Sequence, residues 1–172
     1  MELRAARETD FDAIAEITNH YITTTAIHFS YEPVTAAELR ALWTATHERY
    51  PWLVTVQDDA VIAYAKAGTW RERTAYRWSC EVGLYVAPDQ RGRGIGAPMY
   101  RELLAQCATR GFHSALAGIT LPNAPSIALH DKLGFTSVGV VQQAGWKHDA
   151  WWDVAFYQKL LTTSIADPTV SS

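Results

Sequence analysis

Gln90-Arg91-Gly92-Arg93-Gly94-Ile95-Gly96-Ala97-Pro98-Met99-Tyr100 joins a strand to a helix. The run before it, Val82-Gly83-Leu84-Tyr85-Val86, is apolar with strand character, and Met99, Leu103, Leu104 and Cys107 after it recur at helical spacing. Gly92, Gly94 and Gly96 carry no Cβ, so the turn can aim several backbone N–H groups at one point. The helix behind it adds its unpaired N–H groups and positive dipole end, which makes an anion site suited to phosphate. Pro98 fits the first helical turn, where a missing N–H is harmless. The motif is not G-x-x-x-x-G-K-[ST], and its G-x-G-x-G spacing is not the G-x-G-x-x-G of a dinucleotide fold. Taken alone, these residues fit a solvated surface turn with an arginine pair equally well.

Working outward, the 172 residues are 48% hydrophobic and 19% charged, which suits one globular domain and argues against disorder. A net charge of −3 without a long basic run makes nucleic acid an unsuitable partner. No apolar stretch approaches a membrane span, and the opening Met1-Glu2-Leu3-Arg4 has no signal-peptide core. Cys80 and Cys107 form neither a disulfide framework nor a zinc motif and read as buried thiols in a reducing cytoplasm. No histidine pair has metal-ligand spacing with a third partner, so no metal is expected.

Leu3–Ala6 reads as a strand and Thr9-Asp10 as the start of a helix that weakens at Thr23-Thr24-Thr25. Thr35-x-x-Glu38 is a capping box for a second helix with Leu39, Leu42, Trp43 and Thr46 as its inner stripe. Trp52–Val56 and Val61–Lys66 form a hairpin about Asp58-Asp59, followed by a polar loop over Gly68–Arg77. The strand Cys80–Val86 leads into the glycine turn and its helix, then comes a strand over His113–Thr120. A short helix opens at Asn123 and closes at Gly134. Phe135–Val141 and Val154–Leu160 read as strands around a Trp-rich connection, and residues 163–172 as a disordered tail beyond a single domain spanning 1–162.

R-G-R-G-I-G after a strand resembles the pyrophosphate loop of the GCN5-related N-acetyltransferases, Q/R-x-x-G-x-G/A, with Arg91, Gly94 and Gly96 in its defining places. The element order resembles the same family over Leu3 to Leu160. Asn123 to Phe135 (N-A-P-S-I-A-L-H-D-K-L-G-F) is similar to the family's second cofactor segment, with His130 where many members carry tyrosine. Glu48-Arg49-Tyr50-Pro51-Trp52-Leu53-Val54 and the Trp146 to Val154 ending resemble the phosphinothricin and methionine sulfoximine acetyltransferases. The resemblance implies an α+β fold: a twisted, mostly antiparallel sheet of about seven strands flanked by four helices, splayed between the fourth and fifth strands. It also implies acetyl-CoA as co-substrate, a small amino-acid-like acceptor and a homodimer.

The implied site follows residue by residue. Main-chain groups of Leu84, Tyr85 and Val86 bind the pantetheine arm, and the Val86 N–H is offered to the oxyanion. The pyrophosphate sits on Arg91, Gly92, Arg93, Gly94, Ile95, Gly96 and Ala97, and Asn123 contacts the cofactor arm or simply caps its helix. Transfer to an amine needs a base, and Glu81, on the strand leading to the turn, is the candidate. His130 is the candidate acid toward the thiolate, or a second base. Arg71, Glu72, Arg73 and Arg77, with Phe29 across from them, are expected to wall the acceptor pocket, since fixed arginines suit carboxylate and phosphinate oxygens. Arg77 reads equally well as solvated. The competing functions are acetylation of protein N-termini or another amine, and a non-catalytic acyl-CoA-binding module.

Overall fold

The computed structural model describes residues 1–162; the expected tail, 163–172, lies outside the described residues. The elements are β1 (Glu2–Ala5), α1 (Phe11–Thr24), α2 (Ala36–Thr46), β2 (Trp52–Gln57), β3 (Ala60–Thr69), β4 (Ser79–Val86), α3 (Gly96–Thr109), β5 (Ser114–Thr120), α4 (Ala124–Lys132), β6 (Thr136–Lys147) and β7 (Ala150–Leu160). One seven-stranded sheet runs β1-β2-β3-β4-β5-β7-β6. The β4–β5 pair is parallel and every other pair is antiparallel.

The period-two alternation of β3 separates two cores. Ala63, Ala65 and Ala67 face α3, and their small side chains let Met99, Tyr100, Leu103 and Cys107 pack closely on the sheet. Tyr64, on the other face, joins Trp52 and Val54 beneath Phe11, Ile14, Ile17 and Leu39 of α1 and α2. The capping box forms as expected: Thr35 Oγ1 accepts from the Glu38 N–H at 3.1 Å, and Glu38 Oε2 accepts from the Thr35 N–H at 2.7 Å.

The end of α1 agrees with the sequence: the helix stops at Thr24 and Thr25 is extended, the Thr23 and Thr24 hydroxyls bonding the carbonyls of Asn19 and His20 one turn back. Several other boundaries depart from the sequence reading. Gly68 and Thr69 belong to β3, paired with Glu81 and Cys80, so the polar loop begins at Trp70. Leu42 is not in the inner stripe of α2; it is 46% exposed and borders a cleft. The Trp-rich connection is itself strand: β6 and β7 form a long hairpin turned at His148-Asp149, both with positive φ. Gln142-Gln143-Ala144 is absorbed where the register shifts between Val141 and Gly145, and the Asp153 carboxylate accepts from the Gln143 N–H at 2.8 Å.

Candidate active site

β4 and β5 pair only over Ser79–Glu81 and Ser114–Leu116. Beyond that point β4 stays with β3 as far as Val86, while β5 follows β7 to Thr120. The sheet therefore opens into a gap at its centre. The Ala87 N–H donates to the Ile62 carbonyl, so by the two-residue period Gly83 and Tyr85 bond toward β3. Leu84 and Val86 point their main-chain groups the other way, into the gap, whereas the main chain of Tyr85, expected to bind the pantetheine arm with them, is taken up by β3. The Tyr21 hydroxyl reaches the Val86 carbonyl at 2.7 Å, which leaves the Val86 N–H available there.

The glycine turn closes one end of the gap. Gly92 and Gly94 both have positive φ, 75° and 78°, and a Cβ on either would meet open space. Gly96 starts α3 where a Cβ would lie 3.2 Å from Leu129 and 3.3 Å from Leu84, so a larger residue there would crowd both leucines where the helix N-terminus meets β4 and α4. Ile95 anchors the turn in the core. Arg91 stacks on the Tyr21 ring, 5.0 Å from its centroid, and donates to the Tyr21 hydroxyl at 3.2 Å. Arg93 is exposed and bonds Gln90. Asn123 Oδ1 caps α4 by accepting from the Ser126 N–H at 3.2 Å. A glycine turn with two positive φ values, a helix N-terminus and a gap between strands fit the pyrophosphate and amide-rich arm of a coenzyme A thioester.

Glu81 stands where β4 and β5 part. Its side chain shares a sheet face with Lys66, Gly68, Gly83 and Tyr85, opposite to Val82 and Leu84. It lines a cleft of ≈ 430 Å³ bordered by Tyr50, Trp52, Lys66, Gly83, Tyr85 and Gly118. Gly118 borders that space, and a Cβ there would come into van der Waals contact with the Glu81 carboxylate at 3.9 Å and with Phe156 at 3.4 Å. The carboxylate touches solvent yet is ringed by protein. Partial burial raises its pKa, against the pull of Lys66 and Arg71 in the other direction. A groove of ≈ 470 Å³ between α1 and the β2–β3 turn holds none of these groups, and its Glu16, Asp58 and Asp89 would repel an anionic cofactor.

His130 is buried on the other side of the sheet among Tyr100, Phe135 and Tyr157. Its Nδ1 donates to the Ser126 carbonyl at 2.7 Å, and Nε2 lies 3.2 Å from the Tyr100 hydroxyl, which in turn reaches the Val82 carbonyl at 3.3 Å. Burial lowers its pKa despite the Ser126 carbonyl and Asp131, so the ring is neutral. Both ring nitrogens thus have protein partners within the core.

A profile of the acetyltransferase (GNAT) domain family matches residues 3–156. The chain belongs to the GNAT acetyltransferases. It is 40% identical over 92% of its length to the phosphinothricin N-acetyltransferase of Streptomyces viridochromogenes, covering 87% of that protein. The L-methionine sulfoximine/L-methionine sulfone acetyltransferase of Salmonella typhimurium is 35% identical, with 92% of this chain and 93% of the relative covered. Among solved structures, a phosphinothricin acetyltransferase from Sinorhizobium meliloti in complex with acetyl-CoA superposes with a TM-score of 0.91 at 35% identity. The match covers 96% of this chain and 90% of that one.

In this acetyltransferase, the arginine loop expected to wall the acceptor pocket is only partly gathered. Arg71 lies over Trp70, 4.8 Å from the ring, and Trp70 packs edge-on against Phe156, opposite Gly118. That brings Arg71 close enough to Glu81 to act on its charge. Glu72 and Arg73 are exposed on the same loop. Arg77 turns away: its guanidinium sits 5.0 Å from the Trp78 ring and its carbonyl accepts from Arg49. Phe29 packs on Gly145, where a Cβ would fall 2.3 Å from its ring. The α1–α2 loop is clamped beside it, with Lys147 Nζ donating to the Ile22 and His28 carbonyls at 2.5 Å and the Tyr31 hydroxyl to the Trp146 carbonyl.

Sequence reasoning missed Lys66, Gly118, Gly145 and Lys147. Lys66 carried a usable signal, a charge at every-second-residue spacing within an otherwise apolar strand. Gly118 and Gly145 had none, because their roles depend on Glu81, Phe156 and Phe29 arriving from distant elements.

Proposed function

We propose that the protein acetylates the α-amine of a small amino-acid analogue, such as phosphinothricin, methionine sulfoximine or methionine sulfone, by direct attack in a ternary complex. The observation that carries this reading is the placement of Glu81 on the cleft floor at the point where β4 and β5 separate. Acetyl-CoA supplies the activated acetyl group. The turn from Gly92 to Ala97 holds its pyrophosphate, Leu84 and Val86 hold its arm by main-chain bonds, and the Val86 N–H faces the acetyl oxygen. Glu81 takes the amine proton, directly or through water, and its raised pKa matches that task better than an ordinary carboxylate would. A thiol with a pKa of about 8.5 can depart as the thiolate, so no acid is assigned to it.

Acceptor identity is tested by thiol release from acetyl-CoA with phosphinothricin, methionine sulfone, a polyamine and a peptide with a free N-terminus. The two amino acids should be turned over and the others far less. Preference for the peptide or polyamine would overturn the acceptor, and no turnover with any amine would return the protein to acyl-CoA binding alone.

The working unit is a homodimer. β6 is an edge strand, and its Val138, Val140 and Val141 are 59%, 51% and 49% exposed, an apolar edge that a stable monomer would be expected to blunt. Light scattering should give twice the chain mass, and a monomer mass at micromolar concentration would contradict it.

A further inference from the structure

One cation of the acceptor cleft has no part in the proton transfer above. Lys66 sits on β3 directly opposite Gly83, with Glu81 two residues along β4 on the same face. Because Gly83 has no side chain, nothing on β4 covers the lysine between Glu81 and Tyr85. Its ammonium lies 4.7 Å from the Trp52 ring centroid, and among the described residues it makes no hydrogen bond or ion pair. Glu81, within electrostatic reach, is not within ion-pairing distance. A half-buried ammonium resting on an indole face with no protein oxygen bonded to it is incompletely compensated, and an anionic ligand entering the cleft would complete it.

We infer that Lys66 selects acceptors whose side chain itself ends in an anionic group over those whose side chain ends neutral. The inference rests on the acceptor reading above. Glu81 fixes where the amine must be, and the two cations flank it from different elements: Arg71 from the loop after β3, and Lys66 from the sheet floor. The planar fork of Arg71 suits the α-carboxylate that every amino acid carries. Lys66 is left for a second negative group at the far end of the acceptor, and a compact ammonium suits the tetrahedral oxygens of a phosphinate or a second carboxylate. Burial lowers the lysine's pKa and Glu81 opposes that shift, so a second anion would reinforce the charged form.

Phosphinothricin and methionine sulfone are suitable probes, being alike in size and differing in the charge at the side-chain end. Lys66→Met keeps the stem on Trp52 and removes the charge, and Lys66→Arg keeps a cation. The ratio of kcat/KM for phosphinothricin over methionine sulfone should fall ~10–100-fold in Lys66→Met, as for loss of a charged hydrogen bond, and recover in part in Lys66→Arg. The Kd ratio measured by calorimetry with coenzyme A present should shift the same way, which reads the lysine even where turnover is slow. Unchanged ratios in a folded Lys66→Met overturn the inference while leaving the acceptor class intact. An equal loss for both probes with a shifted acidic limb also overturns it, since the lysine would then act through Glu81. A wild type that binds neither amino acid overturns both.

Discussion

His130 and Glu81 sit on opposite faces of β4, and the protein treats their charges in opposite ways. His130 is held neutral, with its folded pKa below the ordinary histidine value because of burial. Its contribution to stability is therefore complete above the unfolded value of about 6.5 and is lost as pH falls through the folded one. His130→Ala should remove about 2–5 kcal/mol of stability at neutral pH, the cost of emptying a core position and losing the side-chain bonds to the Ser126 carbonyl and Tyr100 hydroxyl. The acidic limb of the kcat/KM profile should stay in place. Paired thermal melts and pH–rate profiles check this, and a vanished limb with unchanged stability would make the histidine the base. Spacing from Asn123 located His130 in the sequence, but its environment could not be read there. The partner that fixes it, Tyr100, lies on a different helix, and the face it occupies depends on how α4 docks.

The glycines set how the elements meet. The glycine turn was legible because its conformation is local: positive φ at Gly92 and Gly94 follows from their spacing between a strand and a helix. The β6–β7 hairpin was not, because polar Gln142-Gln143 looks like a loop until the Asp153 carboxylate accounts for the bulge. Gly145 within that hairpin gives the sharpest test at this scale. A Cβ there would collide with the Phe29 ring, and the rest of the α1–α2 loop is held by Lys147 and Tyr31, leaving the ring as the part that must move. On the proposal that Phe29 walls the acceptor pocket, Gly145→Val should lower kcat/KM for the acceptor on the order of 10²-fold, the usual effect of misplacing a site wall by an ångström, while KM for acetyl-CoA changes little. Equal loss for both substrates would mean that the hairpin supports the whole fold and not the acceptor side.

For the whole molecule, the parting of β4 from β5 ties fold to function. The sequence already placed a strand, a glycine turn and a helix in the right order, and the alternation of β4 put Glu81 on the face away from Val82 and Leu84. The short stretch of pairing that opens the gap was visible only through resemblance, because no local pattern states where two strands separate. The account stands or falls on Glu81 as base at that opening. The direct measurement is the pH dependence of acetyl transfer to phosphinothricin by the wild type and by Glu81→Gln, from below neutrality to above the amine's own pKa. The variant's kcat should be ~10²–10⁴-fold lower at neutral pH, and the deficit should shrink as pH rises and the amine arrives already deprotonated. A Glu81→Gln enzyme that matches the wild type in rate and pH profile would contradict the account.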